Sequence, residues 1–198
     1  MESFGRSAAI SRADTLSRML AAFFFATATA VCAQISVRLW YTPVPVTLQV
    51  FGVILSGLAL GSRWGAISQF QYLMLGAMGL PIFANWTGGP AALVGPSGGY
   101  LIGFILGAFA AGRVFEMLGK RTVLAALAGG IAGIFGIYLL GASWLAVWIG
   151  VTGGRSLAGC ILGAWQMGIV PFIGVDLLKA AAASGLVLSG RSGRRLVG

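Results

Sequence analysis

The feature that most constrains this chain is the length of its uncharged intervals. Residues 64–112 form 49 consecutive positions without Asp, Glu, Lys or Arg, whereas a helix needs only about 20 apolar residues to cross a bilayer core. Charged residues make up 9% of the 198 positions and hydrophobic residues 58%, which leaves too few charges for a water-soluble surface. The sequence therefore predicts an all-α integral membrane protein and excludes a soluble enzyme.

The uncharged intervals predict six membrane spans in a single domain of residues 1–198. The first apolar run is too long for the core of a secretory signal, so we retain it as a span. Pro43 and Pro45 predict a loop before the second span, because proline interrupts a helix. The predicted spans cover residues 19–37, about 47–62, two segments of 64–112 joined by a Pro/Gly-rich connection at 81–99, 122 to about 140, and 171–190.

Residues 141–170 are ambiguous, because their apolar part at 156–170 would rise only roughly 22 Å as a helix. With six spans, ten cations fall on one side of the membrane and Arg38 and Arg155 on the other. Since cytoplasmic loops are enriched in Lys and Arg, we expect both termini to be cytoplasmic and 141–170 to stay outside without crossing. Residues 1–18 and the basic tail 191–198 are then cytoplasmic. The ten cations are Arg6, Arg12, Arg18, Arg63, Arg113, Lys120, Arg121, Arg191, Arg194 and Arg195.

The composition also excludes several classes of chemistry. The chain contains 0 His residues, so His-based triads and common metal-hydrolase sites lack their side chains. The net charge of +9 comes from cations dispersed at the ends of apolar stretches, and we therefore predict no nucleic-acid partner. Residues 118–122 do not have the glycine spacing of a P-loop. We predict neither a metal nor a cofactor, and ATP-driven work would need another subunit.

Asp176 and Lys179 form the oppositely charged pair inside a predicted span, three residues apart and so on one helix face. Ionisable side chains at membrane depth are costly and usually mark a functional site. A purely structural ion pair is the alternative. As ligand contacts, Lys179 would bind a carboxylate, and Asp176 would orient that ammonium or accept hydrogen bonds from a ligand.

The connection between the third and fourth spans contains a second group of candidate contacts. It is uncharged but combines aromatic and polar side chains, which suits a small and partly apolar ligand. Alternatively, its Trp and Tyr belong to the aromatic belt at the membrane interface. Gln49, near the external end of the second span, adds a polar group. The candidate residues of the connection are Phe83, Asn85, Trp86, Thr87, Ser97 and Tyr100.

Three small side chains form a stripe on the first predicted helix. Ala22, Ala26 and Ala30 follow one another at intervals of four residues. Small side chains allow two helix backbones to approach closely in lipid. The spacing leaves open whether the second helix lies in this chain or in a partner protein.

Five segments, taken in order along nearly the whole chain, resemble one known family. They are Pro43-Val-Pro-Val-Thr-Leu-Gln49, Leu60-Gly-Ser-Arg-Trp-Gly65, Gly76-Ala-Met-Gly-Leu-Pro-Ile-Phe83, Gly95-Pro-Ser-Gly-Gly-Tyr100, and Pro171-Phe172 followed by Asp176-Leu-Leu-Lys179. On these residues the chain resembles the BioY proteins, the biotin-capturing S components of energy-coupling factor transporters. One departure concerns the backbone before the aspartate, where the family usually has Pro-Gly and this chain has Gly174-Val175.

The resemblance implies a six-helix protein of a prokaryotic inner (plasma) membrane that binds biotin from outside with high affinity and is not an enzyme. It also implies docking on a transmembrane T component that carries two cytoplasmic ATPases, with biotin released inside. In such a protein the carboxylate of biotin suits Lys179, and its ureido group suits Asn85 or Asp176. The resemblance further implies that Ala22 and Ala26 face the T component.

Other functions remain open on the residues alone. A membrane-embedded enzyme would use Asp176 as a base and Lys179 as its electrostatic partner, although further catalytic groups are scarce. A structural or assembly subunit would bind no ligand at all. Within the transport hypothesis, another small carboxylated vitamin is the alternative ligand.

Overall fold

The protein is a bundle of α-helices with a short β-ribbon at one end. This computed structural model describes residues 2–195, and the side chains of residues 13–190. Strand β1 (Ser36–Val37) pairs antiparallel with β2 (Val46–Thr47), and Ala84–Trp86 form one turn of 3-10 helix. The helices of the described range are α1 (Glu2–Gln34), α2 (Gln49–Leu60), α3 (Ser62–Ala77), α4 (Pro90–Val94), α5 (Gly98–Met117), α6 (Val123–Gly153), α7 (Leu157–Gly168) and α8 (Val170–Arg195).

Among the described residues, four segments are long and apolar enough to cross a membrane, namely Ala13–Gln34 within α1, α5, α6 and the Val170–Gly190 part of α8. Helices α2 and α3 contain 12 and 16 residues, fewer than the roughly 20 that a perpendicular span requires. The prediction of a mostly helical membrane protein is therefore confirmed. The count of six spans and the orientation of the termini stay predictions.

Helices α2 and α3 form a tight hairpin around Gly61. This residue has a φ of 87°, a conformation that favours glycine because it lacks a Cβ. Beyond the turn, Gly65 lies against α2 so closely that a Cβ there would be 2.7 Å from the Gly57 Cα. The hairpin thus brings Gln49, at the start of α2, and Tyr72, near the end of α3, to the same end of the bundle.

The largest difference from the predicted spans lies in residues 141–170. The sequence predicts that the fifth span ends near residue 140, but α6 continues to Gly153 and contains 31 residues. No proline or charge interrupts residues 141–153, so nothing in that segment ends the helix. Gly154 then adopts a left-handed conformation with φ 59°. Helix α7 returns along α6, and Ile169 separates it from α8.

The two predicted terminal segments are parts of longer helices. Residues 2–18 form the beginning of α1, so this part of the predicted segment 1–18 continues directly into the first predicted span. Residues 191–195 of the predicted tail continue α8 to Arg195. Met1 and residues 196–198 of these two predictions lie outside the described residues.

The alanine stripe of α1 packs against helices of this chain, and its predicted contact with a T component stays a prediction. Ala22 is 0% exposed and Ala26 is 1% exposed, while Ala30 is half-buried against the core. Helix α1 packs against α2 and α3 of the same chain, and its buried Thr29 contacts the Gln69 amide of α3 at 3.2 Å. The small side chains therefore serve close packing inside the bundle, which spacing alone does not distinguish from packing against another protein.

Candidate ligand site

A cavity of about 630 Å³ lies at the end of the bundle that carries the β-ribbon. This volume is typical of sites for small molecules, which measure about 300–1,000 Å³. Its wall combines the chain around the ribbon, the connection between α3 and α5, and the facing sides of α5, α6 and α8. Most of the wall is apolar. Among residues 13–190, the charged side chains that line it are Arg38, Asp176 and Lys179.

The buried ion pair of α8 is fixed from both sides. Lys179 Nζ lies 2.7 Å from Asp176 Oδ1, and the two residues are 8% and 2% exposed. The other carboxylate oxygen, Oδ2, accepts a hydrogen bond of 2.7 Å from the Tyr138 hydroxyl of α6. Lys179 also donates to the backbone carbonyl of Thr47 in β2. Because each buried charge has a partner of opposite charge and a further hydrogen bond, the pair can persist without a ligand.

The same pair can still bind a ligand. An ammonium has three N–H donors, and the contacts of Lys179 with Asp176 and Thr47 use two of them. Both charged side chains line the cavity, so the third donor and the lone pairs of Asp176 are available to a molecule inside it. The arrangement favours a ligand that presents donors and acceptors side by side.

Tyr138 is a site residue that our sequence reasoning missed. It is buried in α6 and lines the cavity, yet it stands 38 positions from Asp176 in the sequence. No motif spacing connects the two. The available signal was a tyrosine in the middle of an apolar helix, because a buried tyrosine hydroxyl usually has a hydrogen-bond partner.

Gln49 is held rigidly at the edge of the cavity. Its Nε2 donates to the Tyr72 hydroxyl at 2.7 Å, and its Oε1 accepts from Thr47 Oγ1 at 2.8 Å. Tyr72 in turn donates to the Ile82 carbonyl at 3.1 Å. These bonds connect α2, α3, β2 and the following connection, so the amide has a defined direction when a ligand arrives.

The predicted aromatic walls are present in part. Phe83 is buried and lines the cavity, with its ring edge-on to Tyr72 at 5.4 Å. Tyr100, at the start of α5, also lines the cavity and donates to the Gly168 carbonyl at 2.8 Å. Asn85, Thr87 and Ser97 are brought to the same cavity.

Trp86 is the predicted contact that the structure places elsewhere. It does not line the cavity, and it is 72% exposed. Asn85 and Trp86 both have positive φ angles, 58° and 60°, so the chain turns sharply between the two side chains. The exposed indole agrees with the alternative assignment to the aromatic belt.

Gln34, at the end of α1, holds this turn in place. Its Nε2 lies 3.2 Å from the Phe83 carbonyl, and its Oε1 accepts from the Trp86 backbone N–H at 3.1 Å. Ser36 adds a bond of 3.1 Å to Asn85 Oδ1. A left-handed conformation is costly for residues other than glycine, and it persists where the surroundings fix it. Gln34 therefore positions two cavity residues without lining the cavity itself.

The comparison with known sequences identifies the family. The BioY family model matches residues 6–195. The chain is 43% identical over 171 residues to "Biotin transporter BioY" of Thermotoga maritima, which covers 86% of this chain and 94% of the relative. It is also 43% identical over 159 residues to "Probable biotin transporter BioY" of Pyrococcus horikoshii, covering 80% of this chain and 86% of the relative.

A solved structure has the same fold. It is described as the S-component for biotin from an ECF-type ABC transporter, and it superposes with a TM-score of 0.77 over 90% of this chain and 93% of its own. At 24% identity, this likeness shows the fold alone. The family match over residues 6–195 and the two relatives confirm the resemblance found in the five sequence segments: this chain belongs to the BioY family.

Proposed function

We propose that this protein is the biotin-binding membrane subunit of a vitamin importer. It captures biotin from outside with high affinity and delivers it to the cytoplasm together with an ATP-driven energy-coupling factor module. The observation that carries the proposal is the buried Asp176–Lys179 pair in the wall of a cavity of about 630 Å³. The relatives are named as biotin transporters, so the function is transport and not enzymatic conversion.

The chemistry of biotin suits the cavity. Biotin carries a neutral ureido group with two N–H donors and one carbonyl, an apolar sulfur-containing ring, and a carboxylate on a flexible tail. Phe83 and Tyr100 provide apolar walls for the ring system. Asp176 and Lys179 provide an acceptor and a donor next to each other, and Asn85 and Gln49 add polar groups at the edge.

We further propose that the chain forms one domain with six spans and with both termini in the cytoplasm of a prokaryotic cell, in its inner membrane. This orientation is supported by the distribution of the cations, with ten on the cytoplasmic side and two on the external side. Arg38, the connection that contains Phe83 and the start of α5 then lie on the external side, where the cavity is. Helices α2 and α3 complete the six spans in this arrangement, although they are short.

Labelling of single cysteines in intact cells tests the topology. We expect Ser192→Cys to react only after the membrane is permeabilised and Gly154→Cys to react in intact cells, in a background without Cys32 and Cys160. The reason is that the cation-rich side faces the cytoplasm. Reaction of Ser192→Cys with an impermeant reagent in intact cells would reverse the proposed orientation.

We propose that the partners are biotin, the lipid bilayer, a transmembrane T component and two ATPase subunits, with no nucleic acid among them. Support comes from the fold, which is shared with a protein described as part of an ECF-type ABC transporter. The segment 118–122 is not a phosphate-binding loop, so the chain itself gives no sign of binding ATP.

Equilibrium binding of biotin to the purified chain tests the function directly. We expect saturable binding of one biotin per chain, with the biotin recovered unchanged. Recovery of a converted product would favour the membrane-embedded enzyme. Absence of saturable binding at high biotin concentration would contradict the proposal, and screening other carboxylated vitamins would then test the alternative ligand.

The role of Gln34 gives a further prediction. We expect Gln34→Ala to weaken biotin binding by about 1–2 kcal/mol, mostly through faster dissociation, because the turn that carries Phe83 and Asn85 loses its fixed hydrogen bonds. Stopped-flow dissociation kinetics measure this effect. The control is Gln71→Ala on α3, which removes a glutamine that does not line the cavity. Equal dissociation rates for the two variants would show that Gln34 does not position the site.

A further inference from the structure

The charges in the cavity wall do not cancel. Two cations, Arg38 and Lys179, and one anion, Asp176, line it, which leaves a net charge of +1. Lys179 and Asp176 are 2.7 Å apart. Their fields therefore largely cancel at a distance, and the uncompensated charge of the wall belongs to Arg38.

The buried pair is poorly suited to a ligand carboxylate. An anion that approached Lys179 would come close to Asp176 as well, and two like charges in a water-poor site repel each other strongly. Asp176 is also fixed in place by Tyr138, so it cannot turn away without losing a buried hydrogen bond. A neutral group with both N–H donors and a carbonyl fits the pair without this repulsion.

Arg38 is the cation of the wall that can take an anion. It follows β1 by one residue, and it is exposed while lining the cavity. It therefore lies where the cavity meets the surface. The ion pairs found among residues 13–190 are Lys120–Glu116 and Lys179–Asp176, so Arg38 has no carboxylate partner in that range. A guanidinium presents a planar fork of N–H donors that matches a carboxylate.

We propose that Arg38 selects a ligand with a carboxylate, by attracting that group and binding it at the mouth of the cavity, while the Asp176–Lys179 pair binds the neutral head group. The inference rests on the proposed function and assigns the two ends of biotin: the ureido group lies inside at the pair, and the tail carboxylate lies outside at Arg38. The β-ribbon positions residues at both ends of the ligand, because Arg38 follows β1 and β2 supplies the Thr47 carbonyl that accepts a hydrogen bond from Lys179.

A cycle of two ligands and four proteins tests the assignment. The ligands are biotin and biotinamide, which replaces the carboxylate by a neutral amide of the same size. The proteins are the unmodified chain, Arg38→Gln, Arg38→Lys, and the control Arg155→Gln, which changes the second external arginine, a residue that does not line the cavity. Affinities and association rates are measured at low and at high salt, because salt screens exposed charges.

We expect Arg38→Gln to weaken biotin binding about fivefold at low salt and to leave biotinamide within about twofold, since a partly solvated charge pair contributes modestly. Slower association of biotin, sensitive to salt, accompanies this loss. Arg38→Lys retains the charge and most of the preference for biotin over biotinamide. Arg155→Gln leaves the affinity for both ligands unchanged.

Two results would overturn the assignment while leaving the proposed function intact. One is an equal loss for both ligands in Arg38→Gln. The other is an unchanged preference for biotin over biotinamide in Arg38→Gln, which would place the carboxylate away from Arg38. If the unmodified chain binds neither ligand, the proposed function fails and this inference fails with it.

Discussion

Asp176→Asn and Lys179→Gln are each expected to weaken biotin binding by about 2 kcal/mol or more, which is roughly thirtyfold in affinity. Each substitution leaves the opposite charge buried without its ion-pair partner, and each removes a group that faces the cavity. Calorimetric titration of biotin into the purified variants measures the loss. The double variant is expected to lose less than the sum of the two single losses, because residues in one network do not contribute independently.

A matched control for this pair is present in the chain. Lys120 and Glu116 also form an ion pair, at 3.3 Å, but the lysine side chain is 44% exposed. Lys120→Gln is therefore expected to leave biotin binding unchanged. Folded Asp176→Asn and Lys179→Gln variants with normal binding would show that the α8 pair is structural and that the ligand site lies elsewhere.

Gly76→Ala is expected to lower both stability and biotin affinity. A Cβ at this position of α3 would lie 2.2 Å from two ring atoms of Phe83. The ring is buried and packs against Tyr72, so it has no free space to enter. We expect a destabilisation of about 1–3 kcal/mol from overpacking, with a loss of affinity because Phe83 leaves its place in the cavity wall. Thermal unfolding and biotin titration on the same preparation measure both effects.

Gly185→Ala is the control for this substitution. A Cβ there would have no atom within 4 Å, and alanine favours a helix over glycine by roughly 1 kcal/mol. We therefore expect Gly185→Ala to be neutral or stabilising and to bind biotin normally. If Gly76→Ala matched it in stability and affinity, the contact between Gly76 and Phe83 would have no role in shaping the site.

The candidate site could be predicted from the sequence where its residues are of types that are unusual for their surroundings. Asp176 and Lys179 are recognisable because charges inside apolar spans are costly. Phe83, Asn85 and Tyr100 are recognisable from an uncharged connection with aromatic and polar groups, and the structure brings all of them to one cavity. Their contact with a ligand stays a prediction.

The rest depends on tertiary packing, which no local pattern contains. Tyr138 meets Asp176 only because α6 and α8 lie side by side. Ala22 has the same spacing to Ala26 whether the stripe faces this chain or another one. Trp86 belongs to the same connection as Asn85, and its outward position follows from two consecutive positive φ angles. The continuation of α6 past residue 140 is not predicted, because an apolar pattern does not say where the membrane ends.

The length of α6 determines how far a bound ligand still has to travel. Its 31 residues span about 47 Å, whereas the hydrocarbon core measures about 30 Å. With the start of α6 taken as the cytoplasmic boundary in the proposed orientation, Tyr138, fifteen residues later, lies about 23 Å above it. A biotin held beside Tyr138 has therefore crossed only the outer quarter of the core. Side-chain rotations move atoms by a few ångströms, so delivery to the cytoplasm requires whole helices to move relative to the lipid.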